Sequence, residues 1–90
     1  MKYLISEKRL EELSGGWKVK NGELHKKFEF DSYVNVMKFV NKVMKIAEEQ
    51  NHHPKLIVNY DNVEVFMFDH EANKISDKCH KFVKAVNKLK

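Results

Sequence analysis

Three of the five histidines fall where they could act together. His52 and His53 are adjacent and precede Pro54, and His70 closes a later run of alternating apolar residues. Proline disfavours helical backbone at the residue before it, so the histidine pair lies in an extended or turn-like stretch leading into a strand. Leu56, Val58 and Tyr60 read as that strand, Asp61-Asn62 as a turn, and Val63 to Phe68 as a second strand. Val65 and Met67 share one face of it, while Phe66, Phe68 and His70 share the other. Counting outward from the turn sets Tyr60 opposite about Val63 and Lys55 opposite about Phe68. Residues 52–55 and 69–71 then lie at the same open end of the hairpin, and two separate segments bring three imidazoles to one rim.

Imidazole both gives and takes protons near neutral pH, because its unperturbed pKa is about 6.5. Three histidines and a water would also suit catalytic zinc. Adjacent residues of an extended segment point to opposite sides, however, which works against His52 and His53 sharing one ion. No metal and no cofactor are expected. No serine or cysteine nucleophile accompanies the histidines, and Cys79, on the last helix, reads as a structural thiol. No Gly-rich phosphate loop is present. What remains is proton transfer on a neutral organic substrate: isomerisation, dehydration or hydration. The competing reading, three ordinary polar loop residues, would suit any one of them better than three converging on one rim.

The elements that must position this rim follow from period and punctuation. Ser6 caps a short helix carrying Leu10 and Leu13, which Gly15-Gly16 ends. Trp17 and Val19 alternate with Lys18 and Lys20, and Asn21-Gly22 is a hairpin turn. Leu24, Phe28 and Phe30 alternate with His25, Lys27 and Glu29 on the return strand. Ser32 caps a helix over 32–50, and Ser76 caps a last helix carrying Phe82, Val83, Val86 and Leu89. The order is αββαββα in a single domain over 1–90. The fold class is α+β, a four-stranded antiparallel sheet with helices packed on one face. In helix 32–50 the apolar residues from Tyr33 to Ala47 cover an arc of about 180°, more than one sheet can bury. Either the helix is a thick core helix, or Phe39 and Ile46 at the arc's edge meet another subunit.

Composition removes other classes. The 17 basic and 13 acidic residues leave a net charge of +4. The lysines are spread along the chain, and Arg9 is the sole arginine that could grip guanine with two hydrogen bonds, so no nucleic-acid partner is expected. No apolar run approaches the roughly 18–20 residues of a transmembrane helix, so no membrane association is expected. The single cysteine excludes an intramolecular disulfide and any multi-cysteine zinc site. A cytoplasmic, reducing location is the expectation.

Several stretches form a recognisable series. Leu13-Ser14-Gly15-Gly16-Trp17 comes first, then Phe28-Glu29-Phe30, then Phe39-Val40. Ala47-Glu48 followed by Asn51-His52-His53-Pro54 is the most specific, with Tyr60, His70 ten residues later, and Ile75-Ser76 completing the set. Over nearly the whole chain from Leu13 this resembles the pterin-4a-carbinolamine dehydratase family. There are departures: Leu56 stands where a tryptophan is common, and Asn73-Lys74 replaces a Gly-rich loop. Phe68 and Asp69 replace short polar residues, and Cys79 stands where the family usually has an aspartate.

The resemblance implies a hydro-lyase of tetrahydrobiopterin recycling. It would remove water from a 4a-hydroxytetrahydropterin to give the quinonoid dihydropterin, using histidine acid–base catalysis and no cofactor. It implies that His52, His53 and His70 surround the pterin as the catalytic set, with His53 and His70 as proton-transfer groups, His52 binding or sharing that work, and acid and base unassigned. Glu48, Asn51, Phe68, Asp69 and Glu71 complete the implied substrate contacts. Asp69, beside His70, is expected to pair with that imidazole. The resemblance also implies a homotetramer or homodimer through helix 32–50. Its alternative reading is a non-enzymatic module, a dimerisation cofactor of a transcription factor.

Overall fold

A computed structural model describes residues 15–89. The helix expected from Ser6 lies outside the described residues. Strands β1 (Lys18–Lys20) and β2 (Glu23–Glu29) are joined by Asn21 and Gly22. Both turn residues have positive φ, 54° and 81°, as a two-residue hairpin loop with the right twist requires. Helix α1 spans Tyr33–Gln50, with the Ser32 hydroxyl accepting from the Asn35 amide at 3.2 Å. Strands β3 (Lys55–Val58) and β4 (Asn62–Met67) follow, then helix α2 (Asp77–Asn87), capped by Ser76. The sheet order is β1-β2-β4-β3, antiparallel throughout.

The second hairpin differs in register from the sequence expectation. Val58 pairs with Val63 and Lys55 with Phe66, a shift of two residues. The cause is a longer turn. The Asn59 amide donates to the Asn62 carbonyl at 2.8 Å, and their side chains bond at 2.9 Å. Tyr60 therefore sits at the turn's tip, 74% exposed, instead of ending a strand. Because side-chain period is two, an even shift leaves every residue on its expected face.

One face of the sheet carries Leu24 and Phe28 from β2 and Val63, Val65 and Met67 from β4. These meet Val36, Phe39, Val43 and Ala47 of α1 and Cys79, Phe82, Val83 and Val86 of α2 in a single core. Phe39 corrects one reading of the wide apolar arc. Its ring packs 4.6 Å from Phe28 and 5.1 Å from Phe30, inside the core. Ile46 is half-buried. The part of α1 left open to solvent is instead Tyr33, Val34, Met37 and Met44. On the other face of the sheet, His25 and Glu64 are 2.9 Å apart, and Phe66 lies between the His25 ring and the Lys55 ammonium. Among the described residues no helix is long and apolar enough to cross a membrane.

Candidate active site

The histidine pair is delivered by the way α1 ends. Asn51 adopts the left-handed conformation, φ 51°, and its amide donates to the Glu48 carbonyl at 3.2 Å. The His52 amide donates back to the Ala47 carbonyl at 3.0 Å. This six-to-one and five-to-two pairing is the Schellman arrangement, which reverses the chain just past a helix. Asparagine suits that position because it tolerates positive φ better than other non-glycine residues. The reversal turns His52 inward and leaves His53 outside.

The His52 side chain is buried, with Nε2 3.2 Å from the Phe68 carbonyl. A carbonyl only accepts, so Nε2 carries a proton and a neutral His52 keeps its lone pair on Nδ1. That Nδ1 is buried and has no hydrogen-bond partner among the described residues. The contact ties the α1–β3 loop to the end of β4. His53 is exposed, and its Nε2 lies 3.1 Å from the Glu48 carboxylate, one helical turn back on α1. His70 is exposed, and its imidazole and the Phe68 ring meet in a T-shaped contact at 5.1 Å and 66°. Phe68 thus joins two of the three histidines, its carbonyl holding His52 and its ring meeting His70. The third pairs with Glu48, and no hydrogen bond joins it to His70.

Asp69 does not pair with His70 as its position suggested. Its Oδ1 accepts from the amides of Glu71 and Ala72, each at 3.1 Å, and its Oδ2 accepts from the Ser76 hydroxyl at 2.6 Å. The Ser76 hydroxyl first, and then the Ala72 amide, hold its carboxyl below the usual carboxylate range against the opposing effect of burial. Both carboxylate oxygens are used locally because an Asp side chain reaches amides two and three residues ahead more easily than it reaches its own neighbour. Asp69 and Lys74 also exchange backbone hydrogen bonds at 3.0 and 3.2 Å. Glu71 is exposed and meets Lys78 at 3.5 Å. Cys79 is fully buried in α2, and that burial pushes its thiol pKa up, away from nucleophilic use. Sequence reasoning missed the double role of Phe68 and the hold of Asp69 on its loop. The first had no signal, since a backbone carbonyl is the same at every residue. The second had a partial one, an Asp opening a polar loop.

The profile described as pterin 4 alpha carbinolamine dehydratase matches residues 4–89, almost the entire chain. The chain belongs to the pterin 4-alpha-carbinolamine dehydratase family. A relative provisionally given that name in Sulfolobus acidocaldarius is 34% identical over 82 residues, 91% of this chain and 89% of its own. Another, from Sulfurisphaera tokodaii, is 34% identical over 91 residues, 99% of this chain and 98% of its own. Solved structures share the fold. A transcriptional coactivator/pterin dehydratase from Brucella melitensis superposes with a TM-score of 0.84 at 21% identity, over 97% of this chain and 98% of that one. A pterin dehydratase-like protein identified as a RuBisCO assembly factor in the alpha-carboxysome gives 0.73 at 21% identity, over 86% and 92%. The dehydratase family and its four-stranded antiparallel architecture are therefore those expected from the motif residues. The matched span includes Glu48, Asn51 to Pro54 and His70.

Proposed function

We propose that this family member dehydrates a 4a-hydroxytetrahydropterin. The observation that carries the reading is the division of labour among the histidines: one buried and fixed, two exposed and free to meet a substrate. His52 is the fixed one, and its bond to Phe68 keeps the rim in shape. His53 is oriented through Nε2 by Glu48. With that nitrogen facing a carboxylate, a neutral His53 keeps the Nδ1 lone pair and acts as base. His70 is the acid.

The balance is simple. His70 gives a proton to the departing 4a-hydroxyl, the C4a–O bond breaks, and water leaves. His53 takes the proton of a ring N–H, whose electrons form the new double bond of the quinonoid product. No electron is gained or lost overall, so no redox partner is consumed. Tetrahydrobiopterin recycling is the setting in which such a product would be used.

The α1 surface supports a second reading, about assembly. Tyr33, Met37, Val40 and Met44 follow one another at spacings of four, three and four, the repeat of a helix–helix seam. Three of the four are at least half exposed. We infer a homodimer or homotetramer through this face. A transcription-factor partner on the same surface would be the non-enzymatic role, and the histidines are not part of it.

The deciding experiment is a stopped-flow assay with synthetic 4a-hydroxytetrahydropterin. The expected result is acceleration over the buffer rate that survives exhaustive chelation. No acceleration, or a loss that zinc restores, overturns the proposal.

A further inference from the structure

The segment between β4 and α2 is organised by one buried side chain. Asp69 is 6% exposed, while Glu71, Ala72, Asn73 and Lys74 after it are all exposed. Packing therefore does not fix those residues. What fixes them is hydrogen bonding to Asp69. Two consecutive amides, of Glu71 and Ala72, point at Oδ1, and the backbone of Lys74 returns to the backbone of Asp69. Oδ2 reaches forward to the Ser76 hydroxyl, the group that caps α2 through the Lys78 amide at 3.2 Å. One carboxylate thus ties the end of β4, the loop and the start of α2 together.

His70 lies inside this ring of bonds, between Asp69 and Glu71. Among the described residues its imidazole makes no hydrogen bond, and the Phe68 ring is its one ring contact. A side chain so lightly held stands where its backbone puts it. We propose that Asp69 is a positioning residue for His70: its carboxylate fixes the backbone on both sides and so sets the imidazole beside Phe68 at the rim. The catalytic consequence rests on the dehydratase reading, while the placement does not.

Substitutions at the two ends of the Asp69–Ser76 bond separate the possibilities. Asp69→Asn keeps an oxygen for the two amides but replaces Oδ2 with a donor that cannot accept the Ser76 proton. Ser76→Ala removes the same bond, together with the cap on α2, and leaves the carboxylate in place. Asp69→Ala removes every side-chain tie. The measurements are NOEs between the His70 and Phe68 rings, hydrogen exchange of the Glu71 and Ala72 amides against that of Val65 in the sheet, and kcat and KM for 4a-hydroxytetrahydropterin.

In Asp69→Ala the ring NOE should be lost and the two loop amides should lose protection, with Val65 unchanged. A shift of about 1 Å in a reacting group can cost as much as 10²-fold, so kcat should fall about 10- to 100-fold while KM stays within about threefold. Asp69→Asn and Ser76→Ala should show smaller losses of the same kind at the ring NOE and the two loop amides. Retention of the ring NOE after loss of the loop protection overturns the proposal, as does an unchanged kcat in an active protein. If the wild type shows no dehydration, the functional reading fails, and the NOE and exchange results alone decide the placement. Should Asp69→Ala not fold, Ser76→Ala carries the same comparison.

Discussion

His53 and His70 are exposed and His52 is buried, so the three should not respond alike to truncation. General acid–base groups typically contribute about 10²–10⁴-fold. His53→Ala and His70→Ala should each lower kcat within that range and leave the urea midpoint close to wild type. His52→Ala should lower the midpoint as well, because it leaves the Phe68 carbonyl without its partner. Equal loss of stability in all three would remove the distinction between fixed and free imidazoles. A second residue-scale expectation concerns pH. The hydrogen bond from His25 is the main cause holding the Glu64 carboxyl below its usual range, with the charges of His25, Lys20 and Lys27 adding to it. A folded-state pKa below the unfolded one adds stability above the unfolded value, about 4.3, and loses it as pH falls through the folded value. Wild type should therefore melt above Glu64→Gln at pH 6, and the gap should close below about pH 4. A gap that widens on acidification would reverse the sign.

At the scale of elements, the end of α1 is the part on which the site most depends. A non-glycine residue in left-handed backbone costs about 1–2 kcal/mol, with asparagine among the least penalised. Asn51→Ala should destabilise by about 1 kcal/mol, while Asn51→Gly should be neutral or better, both read from urea midpoints. If alanine and glycine behave alike, the reversal does not depend on φ at residue 51. Much of this level was legible beforehand. Asn21-Gly22, Ser32 and Ser76 are local signals whose physics needs no tertiary context, and each marks the boundary it announced. The Asn59–Asn62 turn was misjudged because Asp61-Asn62 also reads as a turn, and choosing between them takes the cross-strand partners. The placement of Phe39 was harder still. Its angle on a helical wheel puts it at the edge of the apolar arc, and only the positions of Phe28 and Phe30 show that the core extends that far. Among the candidate site residues, the histidines announced themselves by type. The commitments of Asp69 and the Phe68 carbonyl depend on three-dimensional neighbours.

The whole molecule presents two surfaces that can be perturbed separately. Met37 and Met44 are 50% and 56% exposed, so a charge at either can turn to solvent within one chain. Met37→Asp and Met44→Asp should shift light-scattering mass toward the monomer and leave the melting of the isolated chain nearly unchanged. Phe39→Asp should unfold the chain, since a charge placed in the core costs several kcal/mol. Wild-type protein that is monomeric at micromolar concentration would end the assembly reading.

Cys79 adds a practical consequence at this scale. Its sulfur is fully enclosed by the core, and it is the sole thiol in the chain. An aromatic disulfide reagent such as Ellman's can reach it only when the core opens. The rate at which colour develops under excess reagent then measures how often the folded chain comes apart, with no label added and no denaturant present. The same enclosure predicts that samples stored in air without reductant stay free of disulfide-linked pairs for as long as they stay folded.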